Sequence, residues 1–93
     1  MSDKTILVID DEADIREVAQ LSLEINSTWQ VLTANSGQVG LVMAADRAPD
    51  AILLDVMMPD LDGLTTLSKL QMNPVTQNIP VILLTAKVQA TEP

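Results

Sequence analysis

Three short apolar runs, each ending in an oxygen-bearing side chain, constrain this chain more than any other feature. They are Thr5-Ile6-Leu7-Val8-Ile9 before Asp10-Asp11-Glu12, Ala51-Ile52-Leu53-Leu54 before Asp55, and Val81-Ile82-Leu83-Leu84 before Thr85. Unbroken Val, Ile and Leu read as strands buried on both faces, because a strand open to water on one side alternates.

The stretches between them have helical character. After the first run, Asp14 stands where an N-cap would. Ile15, Val18, Ala19 and Ser22 then follow at i, i+3, i+4 and i+7, one face of a helix reaching to about Asn26. Trp29–Ala34 reads as a strand whose weak alternation suits a sheet edge. Asn35-Ser36-Gly37 breaks it, and Ser36 is placed to cap a second helix running to about Asp46. Pro49 punctuates, and Pro59-Asp60-Leu61-Asp62-Gly63 is a turn cluster in which Asp60 and Asp62 read as turn and helix-start residues. Leu64, Leu67 and Leu70 mark the core face of a third helix, Pro74 and Pro80 bracket a loop, and residues 86–93 form a polar tail. The order β-α-β-α-β-α-β predicts a parallel sheet with helices on its faces and right-handed crossovers.

A chain of 93 residues is enough for one domain, spanning 1–93. With one Trp and no Phe or Tyr, its core must be aliphatic. Thirteen acidic against five basic residues give a formal charge of -8, which disfavours direct binding to nucleic acid or to an anionic membrane. The absence of Cys and His excludes thiol and imidazole metal sites and histidine-based catalysis within this chain. No basic-then-apolar leader is visible at the N-terminus. No apolar stretch approaches the roughly 18 residues that span a bilayer, so the expected location is cytoplasmic.

Ligands of parallel sheets bind beyond the carboxyl ends of the strands, at the point where strand order switches. Asp10, Asp11, Asp55 and Thr85 occupy those ends. Three carboxylates brought into one cleft repel one another. A hard cation offsets that repulsion, and Mg2+ suits the donors: it takes oxygen ligands, needs one or two carboxylates and keeps waters that a phosphate oxygen can displace. Simpler readings exist for each residue. Asp10, Asp11, Glu12 and Asp14 could merely complement a helix dipole, Asp55 could be a turn residue before Pro59, and Thr85 alone is an ordinary β-branched strand residue.

Ile6-Leu7-Val8-Ile9-Asp10-Asp11-Glu12, Leu53-Leu54-Asp55-Val56-Met57-Met58-Pro59-Asp60-Leu61-Asp62-Gly63 and Pro80-Val81-Ile82-Leu83-Leu84-Thr85-Ala86 together resemble, in order and spacing, three signatures of bacterial two-component response-regulator receiver domains. The resemblance implies a flavodoxin-like doubly wound sheet with strand order 2-1-3-4. It implies Asp55 as phosphoacceptor, with Asp11 and Asp55 as direct Mg2+ ligands, Asp10 acting through water, and the backbone carbonyl of Met57 as a further ligand. Thr85 would bind a phosphoryl oxygen and switch inward, while Pro59 and Gly63 would shape the adjoining loop. The implied partner is a sensor histidine kinase, and the implied role is a self-phosphorylating signalling module, not a turnover enzyme.

The family fold has five βα units, so the chain is expected to lack the fourth helix, the fifth strand with its terminal lysine, and the fifth helix. Lys87, two residues beyond Thr85, cannot take that lysine's place on a separate strand. The fourth strand is then expected to keep an open edge, the first helix to lack a neighbour on one face, and the chain to self-associate through that edge. The alternative reading is an interaction module that docks without phosphorylation, or a fragment of a longer response regulator. A haloacid-dehalogenase-type phosphatase ranks behind both, because Met57 stands where its second Asp would be.

Overall fold

The computed structural model describes residues 4–25, 27–58 and 62–84. Among the described residues four strands and three helices alternate: β1 (Thr5–Ile9), α1 (Ala13–Glu24), β2 (Gln30–Ala34), α2 (Gly37–Arg47), β3 (Ala51–Asp55), α3 (Gly63–Met72) and β4 (Val81–Leu84). All pairings are parallel and the sheet order is β2-β1-β3-β4. This is the doubly wound, flavodoxin-like arrangement with order 2-1-3-4.

The order decides which helix covers which face. The chain steps one way from β1 to β2, then returns past β1 to β3 and on to β4. With right-handed crossovers, that reversal puts α1 on one face and α2 and α3 on the other. Packing agrees. Leu7, Ile9, Ala34, Ile52 and Leu54 form one buried cluster with Ala44 of α2 and Leu70 of α3, and Leu41, Met43, Leu67 and Val81 pack around it. Gly40 lets α2 lie close on β1, since a Cβ there would come within 2.4 Å of the Ile9 side chain. No helix among the described residues is long and apolar enough to cross a membrane.

Helix ends follow local chemistry. Ser36 caps α2 by accepting from Val39 N–H at 3.1 Å, and Asp62 caps α3 by accepting from Thr65 N–H at 2.7 Å. The first helix departs from expectation. Its N-cap is Glu12, not Asp14, and Glu12 makes no side-chain cap bond. The reason lies one step upstream: the Asp10 carboxylate already accepts the Glu12 N–H at 2.9 Å, so the chain turns into the helix at once. Asp14 then sits inside the first turn, where its charge complements the helix dipole.

The apolar face of α1 is not its inward one. Arg16, Ala19, Gln20, Leu23 and Glu24 are half-buried, whereas Ile15, Val18 and Ser22 face solvent, Val18 at 60% exposure. The fourth strand is not buried on both faces as its apolar run predicts; among the described residues it forms the open sheet edge expected from the resemblance, and Ile82 is 55% exposed. In α3, Leu70 and Thr66 are buried while Leu64 faces solvent, so the expected leucine stripe holds at its C-terminal end only.

Candidate functional site

The site lies at the carboxyl ends of β1 and β3, the central strands, where chain direction across the sheet reverses. Asp10 follows β1 directly and Asp55 ends β3; both are almost wholly buried. Asp11 is the more open of the three. One carboxylate oxygen from each of Asp10, Asp11 and Asp55 lies within 4.8 Å of the others. Side chains 44 or 45 residues apart in sequence thus meet because β1 and β3 are in register, Ile9 beside Leu54.

Both buried carboxylates are oriented by the backbone two residues on. Asp10 Oδ1 accepts from Glu12 N–H at 2.9 Å, and Asp55 Oδ1 accepts from Met57 N–H at 3.0 Å. Such Asx turns hold the side chain and the loop as one unit. The backbone of Asp10 is fixed as well. Its N–H donates to the Ala34 carbonyl at 3.1 Å, and its own carbonyl accepts from Arg16 Nη1 at 2.8 Å.

Gly63 closes the site from below. Its N–H donates to the Val56 carbonyl at 3.0 Å. A Cβ at this position would fall 2.3 Å from the Asp55 carbonyl oxygen and 2.4 Å from Val56 Cα. Only a residue without a side chain lets α3 start this close to the backbone that carries Asp55. Next to the carboxylates is an open cleft of about 470 Å³ lined by Asp11, Val56, Met57, Met58 and Asp62. Asp62 titrates below its ordinary value, chiefly because its carboxylate accepts the Thr65 backbone N–H, with the Thr65 side chain adding to the effect.

Of the residues picked out in the sequence, Asp10, Asp11 and Asp55 converge, Met57 follows immediately, and Gly63 abuts Asp55. Thr85 and Pro59 lie outside the described residues, as does Lys87. Sequence reading missed Arg16. A basic residue in the first turn after an acidic loop was the available signal, but nothing in the sequence says that its side chain turns back to a carbonyl. The donor set fits a small hard cation: three carboxylates close together, on a chain that offers neither thiol nor imidazole.

Residues 6–92 match the sequence model of the response regulator receiver domain. The chain is 51% identical over 83 residues to the response regulator PleD of Caulobacter vibrioides, covering 87% of this chain and 18% of that protein. It is 42% identical over 87 residues to the phosphate regulon transcriptional regulatory protein PhoB of Pseudomonas aeruginosa, covering 94% of this chain and 38% of that one. The chain therefore spans well under half the length of these two relatives. Among solved structures, the N-terminal domain of a response regulator receiver protein from Methanoculleus marisnigri JR1 superposes with a TM-score of 0.88 at 40% identity, covering 96% of this chain and 72% of that one.

Proposed function

The chain belongs to the response regulator receiver domain family, a family of signalling modules, and from that membership we propose that it accepts a phosphoryl group on Asp55 from the phosphohistidine of a sensor histidine kinase. The observation that carries this reading is the buried Asp55 carboxylate at the end of β3, with Asp10 and Asp11 oxygens within 4.8 Å.

A carboxylate oxygen of Asp55 attacks phosphorus. An O–P bond forms, giving an acyl phosphate, as the P–N bond to the donor imidazole breaks and its electron pair returns to nitrogen. Phosphoryl transfer of this kind depends on positioning and charge neutralisation. The Met57 N–H sets the rotation of the Asp55 carboxylate through Oδ1 and thereby aims its other oxygen. Asp11 and Asp55 would hold Mg2+ directly, Asp10 through water, and the Met57 carbonyl would complete the protein's share. Bound there, the ion would neutralise charge between the carboxylates and the incoming phosphoryl oxygens. Thr85 would receive a phosphoryl oxygen after transfer, and Pro59 and Gly63 would shape the loop. On this reading the chain promotes its own phosphorylation and is not a turnover enzyme.

The test is incubation with Mg2+ and acetyl phosphate followed by intact-mass measurement. A phosphoryl mass increase is expected in the native chain and not in Asp55→Asn. An unlabelled native chain, or a variant that labels equally, sinks the reading.

A second reading is favoured by the exposed apolar residues of β4 and α1. We propose that the β4 edge pairs with a second copy of the chain, so that the module also works as an interaction surface.

A further inference from the structure

The bonds that tie Asp10 down include three among the described residues. Two are backbone donors, Glu12 N–H to its carboxylate and its own N–H to Ala34 O. The third is a side chain: Arg16 Nη1 reaches six residues back to the Asp10 carbonyl at 2.8 Å. The chain has thirteen acidic against five basic residues, and Arg16, half-buried, donates through its guanidinium to a peptide carbonyl at the end of β1. A charged donor on a neutral carbonyl makes a stronger bond than a neutral donor does. It also stations a fixed cation behind the acidic turn, on the backbone side of Asp10.

We propose that Arg16 is a positioning residue for the acidic site. Through the Asp10 carbonyl it locks the turn between β1 and α1, so that the Asp10 and Asp11 carboxylates stay beside Asp55, where the three together would hold a divalent cation. The proposal rests on the phosphoacceptor reading for its purpose, but its geometry stands on the hydrogen bonds alone.

Two physical effects of removing Arg16 have opposite signs, which makes the proposal decidable. If the guanidinium acted only as a nearby charge, its loss would tighten Mg2+ binding, because one cation would no longer repel another. If it holds the turn, its loss weakens binding. Partners that orient metal-binding groups typically contribute about 10- to 100-fold in affinity.

The experiment is a Mg2+ titration of the 93-residue chain, followed by NMR at the Asp11 and Glu12 amides, in the native chain, Arg16→Met, Arg16→Lys and Asp55→Asn. Arg16→Met should bind Mg2+ roughly 10-fold more weakly, and Arg16→Lys, which can still donate to the carbonyl, should recover most of that loss. Amides of α2 and α3 should keep their positions in both variants. Unchanged or tighter binding in Arg16→Met overturns the proposal, as does a Lys variant no better than the Met variant. Should the native chain bind no Mg2+, the phosphoacceptor reading fails by itself, and the role of Arg16 is decided without metal. The Glu12 amide, bonded to Asp10 Oδ1, should lose exchange protection in Arg16→Met and keep it in Arg16→Lys. Protection retained in Arg16→Met would then overturn the inference.

Discussion

On one face of the sheet, Leu7, Ile9, Ile52 and Leu54 are shut beneath α2 and α3. On the other, α1 lies against β1 and β2, where Ile6 and Val8 are buried, but its own Ile15, Val18 and Leu21 are left in contact with water, while Ile82 of β4 is more than half exposed. The residue types on the two faces are nearly the same. What differs is the number of helices laid over them. Closure of a sheet face is thus a property of topology and of what packs across it, and apolar side chains alone do not guarantee it.

The two edges repeat the contrast. On β2 the Gln30 N–H is taken by the Lys4 carbonyl of the neighbouring segment, so the next N–H, that of Val31, points outward. The Glu24 carboxylate from the end of α1 accepts it at 3.0 Å. A charged group set against an edge strand discourages further pairing. On β4 the edge instead presents Ile82 and Leu83 to solvent.

The largest effect that would sharpen the contrast between faces comes from truncating one aliphatic side chain on each. Ile52 is fully buried, and Ile52→Ala should cost about 2–5 kcal/mol through lost transfer energy and the cavity left behind. That is a large part of the roughly 5–15 kcal/mol a domain commands. Val18→Ala on the open face should stay within about 0.5 kcal/mol. Urea melts of both variants measure the difference, and equal losses would abolish the distinction between a closed and an open face.

A smaller effect probes how tightly α2 is seated. Alanine in mid-helix gains about 1 kcal/mol over glycine from backbone entropy. At Gly40 the new methyl group would overlap Ile9, and overpacking of this kind costs about 1–3 kcal/mol. Gly40→Ala should therefore be destabilising by about 1 kcal/mol despite its better propensity. A stabilised variant in the same melts would mean that α2 yields easily and that the closed face is looser than its burial indicates.

The acidic site was legible in the sequence because its residues end unbroken apolar runs, and a parallel sheet brings such ends together whatever the order of the outer strands. The central pair was legible for the same reason: Ile6 to Ile9 and Ile52 to Leu54 cannot face water on either side. Periodicity failed on α1, since an apolar stripe reveals that a helix has a face but not whether anything lies opposite it. Hence Ile15 and Val18 mark an apolar face of the helix, and that face is open to water. Taken alone it misled on β4 for a related reason, and only the resemblance implied an open edge there. Val81-Ile82-Leu83-Leu84 is as apolar as β1, and nothing within it tells an edge from a centre. Arg16 was hidden because its bond to the Asp10 carbonyl depends on how sharply the chain turns from β1 into α1, and Asp10 itself sets that turn through Glu12.

The smallest effect on stability carries the sharpest test of the open edge. Ile82→Lys removes an exposed side chain, so the melt should move by no more than about 0.5 kcal/mol. Its expected consequence is on assembly. Two terms compete when one β4 edge approaches another: apolar burial and backbone pairing draw the copies together, and a formal charge of -8 on each drives them apart. Screening shortens the reach of repulsion to about 3 Å at 1 M salt, from about 30 Å at 0.01 M, and leaves short-range contact nearly untouched. Sedimentation equilibrium should therefore show the native chain associating more strongly as salt rises, while Ile82→Lys remains monomeric, because a lysine on an edge strand opposes pairing at contact range. A native chain that stays monomeric across the whole salt range would mean that the -8 charge is not what holds the copies apart and that the β4 edge is no pairing surface for its own kind.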